Sequence, residues 1–203
     1  MVRKMTFSER DEEIVKAKHT HIWKKADGEH YVEPCWCSER LFDVEPFDGA
    51  ILDPCCGWGR IVIAARAHGH QADGADIVNR GFPETLIENF LSRERPTPNI
   101  VVNPPFGRVV RRFVEQAVRI SQRKAALIFP VARLNAATWL EELPLARVWL
   151  MTPRPSMPPG SYIAAGNKPT GGRVDFCWLV FDHLHREPSN NMLWLRRDRC
   201  LDV

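Results

Sequence analysis

The chain has 203 residues, 44% apolar and 26% charged, with a formal net charge of +3 at pH 7. That length holds one domain with a real core and an appendage, in a composition typical of soluble globular proteins. So small a charge does not by itself argue for a nucleic-acid partner, and no stretch approaches the roughly 18 apolar residues that span a bilayer.

Residues 1–30 read as a polar helical arm. Ser8 can cap it, and Glu9, Asp11, Glu12 and Glu13 complement the positive end of the helix dipole. The opening MVRKMTFSERDEE has no apolar run of the secretory kind, so a cytoplasmic, reducing setting is expected. Six cysteines then read as small buried hydrophobes and not as staples. Cys35/Cys37 form a C-x-C pair and Cys55 and Cys56 are adjacent, which is not the paired C-x-x-C spacing of structural zinc. Three H-x-H pairs lack partners at ligand spacing in the sequence, so no metal is expected.

Residues 31–203 read as a single domain. Pro34 can open a short helix that turns Trp36, Leu41 and Phe42 inward, and Asp48-Gly49 marks a turn. Buried strands then alternate with helices: strand 50–53, helix 60–69 ended by Gly69, strand 71–77, a helix over 83–94, strand 99–103, helix 111–122 and strand 124–130. Such alternation implies a parallel sheet covered on both faces. Strands are expected again at 146–151 and 175–181, with a Pro- and Gly-rich loop between them. Arg108, Arg111, Arg112, Arg119, Arg123 and Lys124 crowd one stretch, and Arg196, Arg197 and Arg199 another. A solvated surface and a phosphate-facing patch both fit these groups.

The unit ILDPCCGWGRIVIAARAHG carries the first chemical signal. Gly57 and Gly59 allow a tight turn and close approach of a ligand, and the following helix aims free N–H groups at that turn. The nicotinamide fingerprint fails, because the position three after Gly59 is Val62. The second signal is Asp76 in GADI, spaced to reach the hydroxyls of a bound ribose or to cap the next turn.

DPCCGWG resembles the D-P-x-x-G-x-G loop of class I S-adenosylmethionine methyltransferases, especially those that modify amino groups on bases. The resemblance implies a Rossmann-like methyltransferase fold: an α/β, mostly parallel seven-stranded sheet with an antiparallel C-terminal hairpin and helices on both faces. It implies that the loop Asp53, Pro54, Cys55, Gly57 and Gly59 wraps the methionine portion of S-adenosylmethionine. Asp76 would hold the ribose and Ile77 the cofactor adenine. Asn89 and Phe90 match the Asp-Phe pair that reads the edge of that adenine. Tyr31 to Pro34 matches the N-terminal cofactor segment, with Glu33 where threonine is usual.

N-P-P-F at 103–106 is similar to the D/N/S-P-P-Y/F motif of amino-methyltransferases. An aryl amine is a poor nucleophile until its lone pair localises, and two acceptors on its hydrogens favour that geometry. Asn103, placed toward both cofactor and acceptor, offers a side-chain carbonyl, and Pro104 offers its backbone carbonyl. Pro105 rigidifies the turn and Phe106 supplies a flat face for an extruded base. Adenine in DNA is the leading acceptor, with RNA or a protein glutamine as alternatives. A cofactor-binding module without activity and a nucleotide-dependent oxidoreductase also stay open. Too few residues follow Phe106 for a separate target-recognition domain. Substrate recognition therefore falls to the 151–173 loop with Arg154, Lys168 and Arg173, to the arm, or to a second subunit, and the oligomeric state stays open.

Overall fold

A computed structural model describes residues 30–187 and 190–197. All but the last residue of the expected arm over 1–30, and Arg199, lie outside the described residues. Eight strands form one sheet: β1 Ile51–Asp53, β2 Ala72–Asp76, β3 Leu86–Ile87, β4 Thr97–Val102, β5 Ser121–Pro130, β6 Leu145–Thr152, β7 Phe176–Asp182 and β8 Asn191–Arg196. Their order is β3-β2-β1-β4-β5-β7-β6-β8. The run from β3 to β5 is parallel, β7 is antiparallel to both of its neighbours, and β8 lies parallel to β6. This bears out the expected mixed sheet and its antiparallel hairpin.

Four helices are described: α1 Cys35–Val44, α2 Arg60–Ala67, α3 Val110–Ile120 and α4 Gly160–Ala164. Helices α1 and α2 pack Leu41, Phe42, Ile61 and Ala65 on one face of the sheet. Helix α3 packs Val114 and Ala117 on the other. Strand β7 shows why its sequence has no polar alternation. Trp178 and Val180 enter the first core, while Cys177, Leu179 and Phe181 enter the second. Successive side chains point to opposite faces, and both faces are covered.

Three expectations are corrected. Residues 83–94 form no α-helix; they give β3 and a short 3-10 turn at Phe90–Ser92. Leu86, Ile87, Phe90 and Leu91 stand at helical spacing but do not share one buried face: Phe90 is buried, while Leu86 and Ile87 are more than half exposed. They extend beside β2 instead, and Asn89 caps the turn by accepting from the Leu91 N–H at 3.1 Å. The sheet has eight strands, not seven, because NMLWLR adds β8 to the free edge of β6. Its only buried side chain is Leu195, too weak a pattern to read as a strand. Cys35 is exposed, whereas Cys37, Cys56 and Cys177 are buried as expected.

Glu45, at the end of α1, fastens that helix to the end of the sheet where β5 and β6 begin. It is 2% exposed and accepts from Arg147, from Trp149 Nε1 at 2.8 Å and from Lys124 at 3.2 Å. Glu45→Ala leaves Trp149 Nε1 without its acceptor while Arg147 and Lys124 keep Asp182, so denaturant unfolding should show a loss of about 1–3 kcal/mol. A loss below about 1 kcal/mol would mean that the cluster is solvated and expendable.

Candidate active site

The loops that leave the C-terminal ends of β1, β2 and β4 enclose a cavity. After Asp53 the chain turns through Pro54, Cys55 and Cys56 to Gly57 and Gly59, with φ of 52° and 77° at the two glycines. A Cβ on Gly57 would overlap the His30 imidazole, and one on Gly59 the Phe82 ring. Packing and conformation therefore both demand glycine. Gly59 directly precedes α2, whose first turn faces the loop.

Asp53 is 1% exposed, and its Oδ1 accepts from the Cys55 N–H at 3.1 Å. Burial holds its carboxyl well above the usual aspartate range; the Cys55 hydrogen bond opposes this and the Glu33 and Asp76 carboxylates add to it. Asp76 ends β2. Its Oδ2 accepts from the Gly57 N–H at 3.1 Å, and its other oxygen from the Val78 N–H at 3.3 Å. Arg80 stands 3.7 Å from the same carboxylate. Ile77, at the rim, is 63% exposed, an apolar side chain that a flat ligand would cover. Asn89 also lines the cavity, with its oxygen engaged by Leu91, and buried Phe90 stacks on Phe113 with ring centroids 5.6 Å apart.

Strand β4 stops at Val102 because neither Pro104 nor Pro105 has an N–H to continue the ladder. Gly107, with φ of 106°, then turns the chain toward α3. Phe106 is half-buried, its ring 5.3 Å from that of Phe176. Asn103 Nδ2 donates to the Tyr31 carbonyl at 3.0 Å and to Glu33 Oε2 at 2.8 Å. A carbonyl and a carboxylate only accept, so the amide nitrogen must face them and Oδ1 must face away. That oxygen is buried without a partner. Among the described residues Ser38 Oγ and Asn99 Oδ1 share that condition, but only Asn103 lines the cavity.

The structure thus brings Asp53, Pro54, Cys55, Gly57, Asp76, Ile77, Asn89, Phe90 and Asn103 to Phe106 together around one space, while Gly59 supports the loop from behind. Reasoning from sequence missed His30, Trp58, Arg60, Arg80 and Phe113, and it missed the role of Glu33. The segment that carries His30 and Glu33 is held by the 158–160 loop: Val32 N–H donates to the Pro158 carbonyl, and Gly160 N–H to that of His30. The His30 ring stands edge-on to Trp58 at 5.5 Å, and Arg60 donates to the Glu33 carbonyl at 2.5 Å. Burial, with Arg80 nearby, lowers the His30 pKa. Among the described residues no three His, Cys, Asp or Glu side chains converge as metal ligands would.

A buried carboxylate without a cation opposes folding. The raised Asp53 pKa means that the folded state binds its proton more tightly than the unfolded chain. Stability linked to it is therefore fully present below the ordinary aspartate range and is lost as pH rises through the folded value. Asp53→Asn, which keeps an acceptor for Cys55, should melt higher than the parent at pH 8, with the gap narrowing toward pH 4. An equal or lower melting temperature at pH 8 would show that Asp53 is compensated in the free protein.

No family model and no curated protein sequence matches the chain. Solved structures do. A provisionally assigned RNA methyltransferase of Pyrococcus horikoshii superposes with a TM-score of 0.60 at 14% identity, over 85% of this chain and 98% of that one. The M protein of the type I restriction enzyme EcoKI superposes with a TM-score of 0.57 at 14% identity, over 83% of this chain and 49% of that protein. A provisionally assigned O-methyltransferase of Agrobacterium tumefaciens gives 0.51 at 14% identity, over 80% and 85% of the two chains. With its mostly parallel sheet and antiparallel hairpin, the described chain has the Rossmann-like α/β fold shared by these methyltransferase structures.

Proposed function

We propose that the chain is an S-adenosylmethionine-dependent methyltransferase that acts on an exocyclic amino nitrogen, with adenine in DNA as the acceptor. The observation that carries this reading is the buried, unpartnered Oδ1 of Asn103, a residue that lines the same cavity as Asp53 and Gly57. An orphan acceptor costs free energy in the free protein and gains a partner when an N–H donor arrives.

The residues present suit the cofactor. The Asp53 to Gly59 turn would hold its methionine portion, Asp76 its ribose hydroxyls, and Ile77, Asn89 and Phe90 its adenine. The buried carboxylates of Asp53 and Glu33 suit a ligand that carries positive charge. When bound, S-adenosylmethionine supplies an electrophilic methyl group. Asn103 Oδ1 and the Pro104 carbonyl hold the two hydrogens of the acceptor amine, which frees its lone pair and stabilises the charge that develops on nitrogen. Phe106 offers a face for the extruded base. The amine proton then leaves to water, so no strong base is needed.

Exposed Arg108 and Arg112, with Arg133 donating to the Gly107 carbonyl at 2.9 Å, flank this loop and suit phosphates. Adenine rests on the N-P-P-F resemblance. A second reading keeps the chemistry and moves it to RNA. In its favour, the superposition with the provisionally assigned RNA methyltransferase spans nearly the whole of that chain, whereas half of the EcoKI M protein has no counterpart here.

The test incubates the protein with labelled cofactor and, separately, unmethylated genomic DNA or RNA, followed by digestion to nucleosides. Label in N6-methyladenine from DNA is expected. Label only in RNA would replace the acceptor, and label in neither would overturn the reading. Asn103→Ala should slow transfer by about 100-fold or more while cofactor binding persists. Unchanged transfer in that variant would remove Asn103 from the chemistry.

A further inference from the structure

Glu33 lines the cavity but has no assigned part in amine capture, and it is 6% exposed. Its carboxylate accepts from Asn103 Nδ2 at 2.8 Å, and the Tyr31 carbonyl takes the second hydrogen of the same nitrogen at 3.0 Å. With both amide hydrogens engaged, rotation of the Asn103 side chain by a half-turn would set its oxygen against two acceptors. The oxygen is therefore fixed on the side away from Tyr31 and Glu33, where it is buried without a partner.

We propose that Glu33 is a positioning residue that orients and polarises Asn103 for capture of the acceptor amine. This deepens the function proposed above and rests on it. An amide has no net charge, so on its own it meets a developing positive charge less strongly than a carboxylate would. A charge-assisted hydrogen bond to its nitrogen draws electron density toward Oδ1 and strengthens that oxygen as an acceptor. Asn103 and Glu33 together thus deliver what a carboxylate at the first position of the loop would deliver alone. The surroundings hold the carboxylate in place. Arg60 donates to the backbone carbonyl of Glu33, and buried Cys37 lies nearby, while the Asp53 carboxylate is close enough to repel that of Glu33. Burial raises the Glu33 pKa, and the Asn103 hydrogen bond and Arg60 oppose that rise.

Two variants separate orientation from charge. Glu33→Gln keeps an acceptor for Asn103 Nδ2 and loses the charge; Glu33→Leu loses both. At saturating cofactor, single-turnover methyl transfer should fall about tenfold in the first and about 100-fold in the second. An activity-independent readout is the side-chain amide pair of Asn103 in 1H–15N spectra of the free protein, assigned by its loss in Asn103→Ala. The proposal expects that pair downfield and slow to exchange, shifted upfield in Glu33→Gln, and unprotected in Glu33→Leu. If Glu33→Leu does not fold, the rate and spectrum of Glu33→Gln carry the test. Wild-type rates in both variants, with Asn103→Ala inactive, would overturn the proposal and leave the proposed function standing. An amide pair indifferent to Glu33 would overturn it whatever the activity. The expected spectra without any transfer would uphold the pairing and sink the function instead.

Discussion

Both hydrogens of one buried amide nitrogen are spoken for, and the shape of the site follows from that. Tyr31 and Glu33 present only acceptors to Asn103 Nδ2, so Oδ1 is turned away from them and left buried with nothing from the protein to meet it. The arrangement needs residues 30–33 beside β4, and the 158–160 loop keeps them there through Val32 and Gly160. A side chain after β4, a segment ahead of α1 and a loop after β6 thereby become one unit. None of the three makes an acceptor site alone.

Two buried carboxylate clusters at opposite ends of the sheet's strands show opposite electrostatics. Glu45 is nearly as buried as Asp53, yet Arg147, Lys124 and Trp149 surround it with donors. It fastens α1 and needs nothing further. Asp53 and Glu33 share the cavity with Asp76, and their carboxyls are raised chiefly by loss of solvent. Arg80 pairs with Asp76 and Arg60 partly offsets Glu33, but among the described residues no cation faces Asp53, and a buried acid so placed suits a positively charged ligand. Perturbed acids of this kind cluster where proteins bind or react.

The sheet makes the convergence possible. Because β1, β2 and β4 run parallel, their C-terminal ends open on one side, and the turns that carry Asp53, Asp76 and Asn103 meet there. The antiparallel β7 continues both cores without adding a residue to the Asp53 turn.

Most of this fold could be read from the chain because its signals are local. Continuous apolar runs such as NIVV and FCWLVF can be buried only between two layers, the Gly57 and Gly59 turn tolerates no Cβ, and prolines 104 and 105 end a strand wherever it lies. Leu86 and Ile87 were misread because spacing alone cannot tell whether an apolar pair faces a core or the edge of a sheet. Strand β8 was missed because pairing with β6 defines it, and its own residues are mostly exposed. The role of Glu33 depended on a contact spanning 70 residues of chain. A glutamate in a sequence carries charge and capacity to accept; which donor it meets, and how much water it loses, are settled when distant segments close on each other.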